Sequence, residues 1–236
     1  MKGSLDFKLK QTIKLITGSQ KADLFLDGST PEGQNAYRYF NKHHSFFKII
    51  KNKTHGVALL KLPLLVDDYL VLIRGKNSAS YYCRVAEKRS YTFAQINPNQ
   101  YIDDIYIINT STPTRQGKPM SNSYIEKIPS YPTDKLNQFY GVFKEGQLVA
   151  YVWMKCIGQV WSISRILGHA EYLSDGIMYL LLVKTICKLI SDGDKEIIMY
   201  DTFLGNSKGI TLFKKRIGFT PYKIRWILIN QRKNKD

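Results

Sequence analysis

The stretch FYGVFKEGQLVAYVWMKCIGQVWSISRILG, residues 139–168, decides the fold. It holds three runs rich in β-branched and aromatic residues. Glu145-Gly146 divides the first two and Gly158-Gln159 the second two, and both breaks suit hairpin turns, so three consecutive antiparallel strands are expected. Beyond residue 168 the pattern becomes helical. Ser174 offers a helix cap, an apolar helix runs on through Ile190, and Ser191-Asp192-Gly193 stops it. A strand (195–200), a short helix (about 207–216) and a last strand (222–230) complete the pattern.

Upstream, NSASYYCRVAEKRSY (77–91) has a cap-like start and helical composition, and YTFAQI (91–96) reads as a short strand. Ile102, Ile105, Tyr106 and Ile108 recur at helical spacing. The polar segment TSTPTRQGKPMSNS (110–123) reads as a loop. In the first 75 residues, Thr30 before Pro31 and Glu32 marks a helix start, with a helical stretch to about Lys42. SFFKIIK (45–51), GVALLKLP (56–63) and YLVLIRG (69–75) read as two or three strands, the first pair joined by a turn at 52–56. The expected architecture is α/β: three layers around a mixed, largely antiparallel central sheet, preceded by a small α+β segment. The expected division is 1–75 as a cap or partial domain, 76–230 as the main domain, and 231–236 as a basic tail.

The chain has 236 residues, 44% of them apolar, which suits a globular protein rather than a disordered one. Its 35 Lys and Arg against 19 Asp and Glu give a net charge of +16. That favours an anionic partner: nucleic acid, a phosphorylated substrate or an anionic surface. The excess of lysine over arginine, with frequent Asn, Ile and Tyr, equally suits an AT-rich coding sequence. The longest apolar run, 177–190, is broken by Lys184 and Lys188, so no transmembrane segment is expected. Cys83, Cys156 and Cys187 lack metal-ligand spacing and read as reduced core thiols, and His43, His44 and His55 suggest no metal either. With no signal-peptide pattern at the charged N-terminus, the cytoplasm is the expected compartment.

Four segments carry a resemblance. AEKRSYTF (86–93) resembles a helix end passing into a strand. Thr112, Arg115, Gly117 and Tyr124 resemble a Thr-x-x-Arg-x-Gly loop with a downstream tyrosine. YDTFLG (200–205) resembles a Tyr-Asp-x-x-x-Gly turn, and Phe213, Lys214, Ile217 and Gly218 match a Phe-Lys-x-x-apolar-Gly signature. Together they resemble the GNAT acyltransferase fold, most of all its Fem-type branch, whose members commonly use aminoacyl-tRNA to build peptidoglycan bridges. The likeness covers roughly 77–226. Ordinary GNAT enzymes place a tyrosine four residues before the Gly-Phe pair, and Lys214 stands there in this chain. Fem-type proteins are usually longer and built from two such domains.

The resemblance implies an N-acyltransferase that moves an acyl or aminoacyl group to an amine acceptor. Acetyl-CoA or another acyl-CoA is the implied donor, with aminoacyl-tRNA as the alternative, and no metal. Asp201, with Tyr200 and Lys214, is the expected catalytic group: a carboxylate at a strand end can accept a proton from an attacking amine. Two segments compete for the donor's phosphates. RILGHA, with Arg165 and Gly168, fits the family's phosphate-loop pattern literally. YLSDGIM, with Ser174, Gly176 and Ile177, lies at the expected helix start, where unpaired amides favour anions. Arg115, Gln116, Lys118, Tyr124 and His169 are the expected substrate contacts. A GNAT-shaped module that binds tRNA or DNA without chemistry, and an acyltransferase acting on a nucleobase, are the competing readings; the oligomeric state stays open, a dimer included.

Overall fold

The computed structural model describes residues 18–44, 48, 50–115, 118–193 and 195–229. The strands are β1 (Gln20–Asp27), β2 (Val57–Lys61), β3 (Thr92–Ile96), β4 (Thr114–Arg115), β5 (Lys118–Pro119), β6 (Asn137–Lys144), β7 (Gln147–Ile157), β8 (Val160–Gly168), β9 (Ile197–Thr202) and β10 (Thr220–Ile229). The helices are α1 (Pro31–Asn41), α2 (Val66–Leu72), α3 (Ala79–Lys88), α4 (Ile102–Thr110), α5 (Asn122–Ile125), α6 (Ile177–Asp192) and α7 (Lys208–Ile217). Eight strands form one mixed sheet in the order β1-β10-β2-β9-β8-β7-β6-β3, while β4 and β5 pair separately. Antiparallel pairing dominates, and the pairs β1–β10 and β8–β9 are parallel.

The chain folds as two compact units, one comprising Met1–Lys61, Cys156–Ser162 and Lys195–Asp236, the other Leu62–Lys155 and Ile163–Asp194. The first unit gathers strands from both ends of the chain. β1 runs parallel to β10 over eight residue pairs, from Gln20–Tyr222 to Asp27–Ile229. Its core joins Leu24, Leu26, Phe40, Val57, Met199, Tyr222 and Trp226. Thr30 caps α1 as expected, its hydroxyl accepting from the Gly33 amide at 3.1 Å. Pro31 opens the helix at the one place where a missing N–H costs nothing. Gly158 has φ +58°, and a Cβ there would lie 2.3 Å from the Phe25 carbonyl oxygen, so only glycine fits that turn.

The second unit holds the β3–β6–β7 portion of the sheet and the long helix α6. β6 and β7 form the first hairpin through Glu145 and Gly146, both at positive φ. α6 buries Leu180, Leu181, Val183, Ile186 and Leu189, which lie all round the helix, so it is enclosed rather than half-exposed. Gly193 ends it in the left-handed region, the role its sequence position suggests.

Two local expectations change. The segment 69–75 is not a strand, for α2 and its end occupy it. Its inward residues are Tyr69 and Ile73, four apart, and Asp67 and Asp68 sit in the first turn, where acidic groups favour a helix. Ser174 does not cap α6: a 3-10 turn covers Ala170–Asp175 and Gly176, at φ +84°, is the cap residue. The first strand, β1, lies in a segment whose sequence signals are mixed. Of SFFKIIK, residues 45–47 and 49 lie outside the described residues, and Lys51 makes an isolated bridge with His43.

Candidate active site

Within the first unit, β9 delivers Tyr200, Asp201 and Thr202 to a loop that leads into α7. The amphipathic α7 turns Lys214 and Ile217 inward. Lys214 is only 2% exposed, and its Nζ donates to the Thr202 carbonyl at 2.7 Å. The same nitrogen lies 4.5 Å from the Tyr200 ring centre and 5.6 Å from that of Phe203, so two aromatic faces line its charge. Tyr200 in turn meets Phe219 edge-on at 5.7 Å. Burial pulls the Lys214 ammonium down to about 8; Asp201 counteracts this and Lys53 adds to it.

Asp201 sits at φ +51°, an uncommon conformation for a residue with a side chain. Its carboxylate, 57% exposed, is ion-paired with Lys53, whose side chain is 15% exposed. Desolvation pushes the Asp201 carboxyl up, but Lys53, then Lys214 and the Thr202 amide, outweigh it and hold it below the usual carboxylate range. Sequence reasoning misses Lys53, which lies far from Asp201 along the chain and carries no motif. Its backbone is held by Phe40, whose carbonyl takes the Lys53 amide, and by the Trp226 indole, which donates to the Lys53 carbonyl at 2.5 Å. Lys53 is therefore the carboxylate's ion-pair partner, and Lys214 acts on it through its charge alone.

The other candidates lie in the second unit. Arg115 uses Nη2 to bond the Gly168 carbonyl at 2.9 Å, the Ile108 carbonyl at 3.1 Å and the Ser111 hydroxyl at 3.2 Å. Desolvation lowers its pKa, and its buried Nε finds no partner. The Arg165 guanidinium lies over the Tyr124 ring at 4.8 Å, and its buried Nη1 also has no partner. His169 packs its ring 5.4 Å from Tyr172, while its backbone amide bonds the Val149 carbonyl at 2.8 Å; its buried Nδ1 is unpartnered. Lys118 is exposed in β5. Gln116 and Gly117 lie outside the described residues.

At the start of α6, a Cβ on Gly176 would stand 2.7 Å from the Tyr82 carbonyl oxygen, and one on Gly168 would stand 2.7 Å from the Met178 sulfur. Helix packing accounts for both glycines. The buried Ile177 is the first residue of α6. Ser174 reaches only Asp175, whose carboxylate is turned aside: Arg89 is ion-paired with it and the Tyr91 hydroxyl donates to it at 2.7 Å. The acid is therefore neutralised by neighbours from the turn between α3 and β3. Two open clefts of this unit, of about 500 and 520 Å³, are lined by none of these candidates. Among the described residues, no group of three His, Cys, Asp or Glu could hold a metal ion. No helix among them is long and apolar enough to cross a membrane.

No protein-family model and no curated protein matches the chain. Solved structures do. FemX aligns with a TM-score of 0.59 at 12% identity, over 84% of this chain and 68% of its own. This is the GNAT fold. A GCN5-related N-acetyltransferase from Kribbella flavida aligns with a TM-score of 0.43 at 12% identity, over 70% of this chain; the chain spans about half of that protein, 53%. The ribosomal-protein-S18-alanine N-acetyltransferase from Escherichia coli gives 0.41 at 14% identity, over 53% of this chain and 75% of that one. The Fem-type likeness expected from the Tyr-Asp turn and the Phe-Lys signature is thus a likeness of fold. The GNAT-like sheet has eight strands, mixed and mostly antiparallel, in keeping with the expected fold class.

Proposed function

We propose that this protein is an N-acyltransferase, carrying an acyl or aminoacyl group from an acyl-CoA thioester or an aminoacyl-tRNA ester to an amine. The observation that carries this reading is the buried Lys214, bonded to the Thr202 carbonyl beside the exposed carboxylate of Asp201. Asp201, held ionised through the neutral range, anchors the acceptor's ammonium and draws off its proton as the amine attacks. Lys214 acts through its field: a cation in a poorly solvated site offsets negative charge growing on the carbonyl oxygen without touching it. Tyr200 and Phe203 steady that cation with their ring faces. The thiolate or ribose oxygen leaves with the electron pair of the broken bond and takes up, through water, the proton that Asp201 received, for Lys214 stands at the position of the family's tyrosine acid.

The donor supplies the activated carbonyl. Within the second unit taken by itself, the amide end of α6 at Gly176 and Ile177 and the guanidinium groups of Arg115 and Arg165 are the groups suited to an anion such as a phosphate. Tyr124, Lys118, Gln116 and His169 remain as substrate contacts in this reading, and Gly168 and Ser174 as shapers of the loop. The test is turnover by the purified protein of acetyl-CoA or of bulk charged tRNA, with a panel of amine acceptors including nucleosides. Consumption of one donor, lost in Asp201→Asn and Lys214→Met, supports the reading. No turnover of either donor by folded protein overturns it.

The net charge of +16 favours one second reading, a GNAT-shaped module that binds nucleic acid without chemistry. It predicts salt-sensitive tRNA or DNA binding, with no turnover and no response to Asp201→Asn.

A further inference from the structure

Lys53 holds a place that the proposed reaction reserves for a substrate. Its Nζ contacts a carboxylate oxygen of Asp201, the group that would bind an acceptor's ammonium and take its proton. Among the described residues, no other cation is ion-paired with Asp201. An outside amine has to displace Lys53 before it can meet that carboxylate.

The surroundings oppose displacement. The Lys53 amide donates to the Phe40 carbonyl at 3.1 Å, and its carbonyl accepts from the Trp226 indole at 2.5 Å. On either side, the Asn52 amide bonds the Lys42 carbonyl at 2.9 Å and the Ile224 amide bonds the Thr54 carbonyl at 2.7 Å. The backbone is thus fixed at three successive residues, and the Lys53 side chain is only 15% exposed. In the second unit, Lys127, Lys144, Lys184 and Lys188 also pair with carboxylates, and each is more exposed than Lys53. An amine held in contact with its base reacts as though at very high concentration. Lys214 is no rival, for it is buried with its Nζ bonded to the Thr202 carbonyl.

We propose that Lys53 is itself an acceptor, so that the chain acylates its own Lys53 amine. The inference rests on the acyl-transfer reading of Asp201. The Lys53 ammonium loses one proton through Asp201 to water, and the neutral nitrogen attacks the donor's carbonyl carbon. A C–N bond forms as the thioester C–S bond or the ester C–O bond breaks. The sulfur or ribose oxygen leaves with that bond's electron pair and takes up the second proton, which Asp201 draws from the same nitrogen. The products are an acyl-lysine amide, the free thiol or hydroxyl, and one released proton. The amide carries no charge, so Asp201 is left free for the ammonium of an outside acceptor.

The full chain is incubated with acetyl-CoA, and separately with bulk charged tRNA, and acyl groups are mapped by peptide mass spectrometry. With one donor, Lys53 should be acylated roughly tenfold or more faster than the exposed Lys118 and Lys223, which report spontaneous acylation. The rate per molecule should not depend on protein concentration, and Asp201→Asn should lower it roughly tenfold or more at Lys53 alone. The comparison within the wild type needs no variant, and circular dichroism checks that Asp201→Asn is folded. Lys53 acylated no faster than the two reference lysines overturns the proposal. So does a rate at Lys53 that ignores Asp201→Asn or climbs with protein concentration. Transfer to an added amine with Lys53 unmarked overturns this inference and leaves the acyltransferase reading standing. No consumption of either donor by folded protein overturns both.

Discussion

The two units hold their cations in different ways. In the first, Lys53 is ion-paired with the carboxylate of Asp201, and Lys214, bonded to a carbonyl and lined by two ring faces, feels that carboxylate through its charge. In the second, Arg115 and Arg165 have no acidic partner among the described residues and rely on carbonyls, a hydroxyl and a tyrosine ring. A carboxylate balances charge and couples titrations; carbonyls satisfy donors but leave the charge. The first arrangement is therefore suited to adjusting protonation near neutral pH. The second leaves two guanidinium nitrogens, Arg115 Nε and Arg165 Nη1, buried without a partner.

Several experiments press on this contrast. The largest effect is expected from Lys214→Met, which should lower the acyl-transfer kcat by about 10²–10³-fold if the buried cation offsets oxyanion charge. The same role requires wild-type activity to decline as pH rises through about 8, where Lys214 loses its proton. An unchanged rate would reduce Lys214 to a structural residue and remove the asymmetry between the units.

Stability carries the next effect. Lys214 titrates at about 8 in the folded chain against 10.5 for an ordinary lysine. Between those values the unfolded chain binds the proton that the folded chain has released, so stability rises with pH. Urea titrations should show a gain of about 3 kcal/mol across that window in the wild type relative to Lys214→Met. A parallel pH dependence in both proteins would mean that the lysine is not desolvated.

Arg115→Met should destabilise by about 1–3 kcal/mol, because the Gly168 and Ile108 carbonyls lose their donor. If these arginines take an anion, inorganic phosphate should raise the wild-type Tm and do so less in Arg115→Met and Arg165→Leu. Equal responses would show that this unit holds no anion site. The smallest effect is a control: Thr30→Ala should cost about 1 kcal/mol through loss of the α1 cap while leaving the Lys214 pH dependence in place.

Much of this architecture is legible in the sequence. The hairpin at Glu145-Gly146, the cap at Thr30, the stop at Gly193 and the apolar run of α6 depend on neighbours within a few residues, so sequence reports them directly. The Tyr-Asp turn and the Phe-Lys signature likewise mark Tyr200, Asp201 and Lys214, which the fold gathers at the end of β9. Other features depend on distant partners. The segment 69–75 resembles a strand because its composition is apolar, and only its contact with α6 shows that Tyr69 and Ile73 alone face inward. Lys53 has no local signal, for its role arises when Phe40 and Trp226 bring its backbone beside Asp201.

The sequence by itself determined the local elements, the turns that join them and the residues able to carry charge. Tertiary structure decided which charges meet. It paired Lys53 with Asp201, turned Asp175 toward Arg89 and Tyr91, left Arg115 and Arg165 without a carboxylate among the described residues, and exposed the leucines flanking α2. Those outcomes rest on contacts between residues far apart in the chain, whose energies are set by burial and distance that no short window of sequence contains.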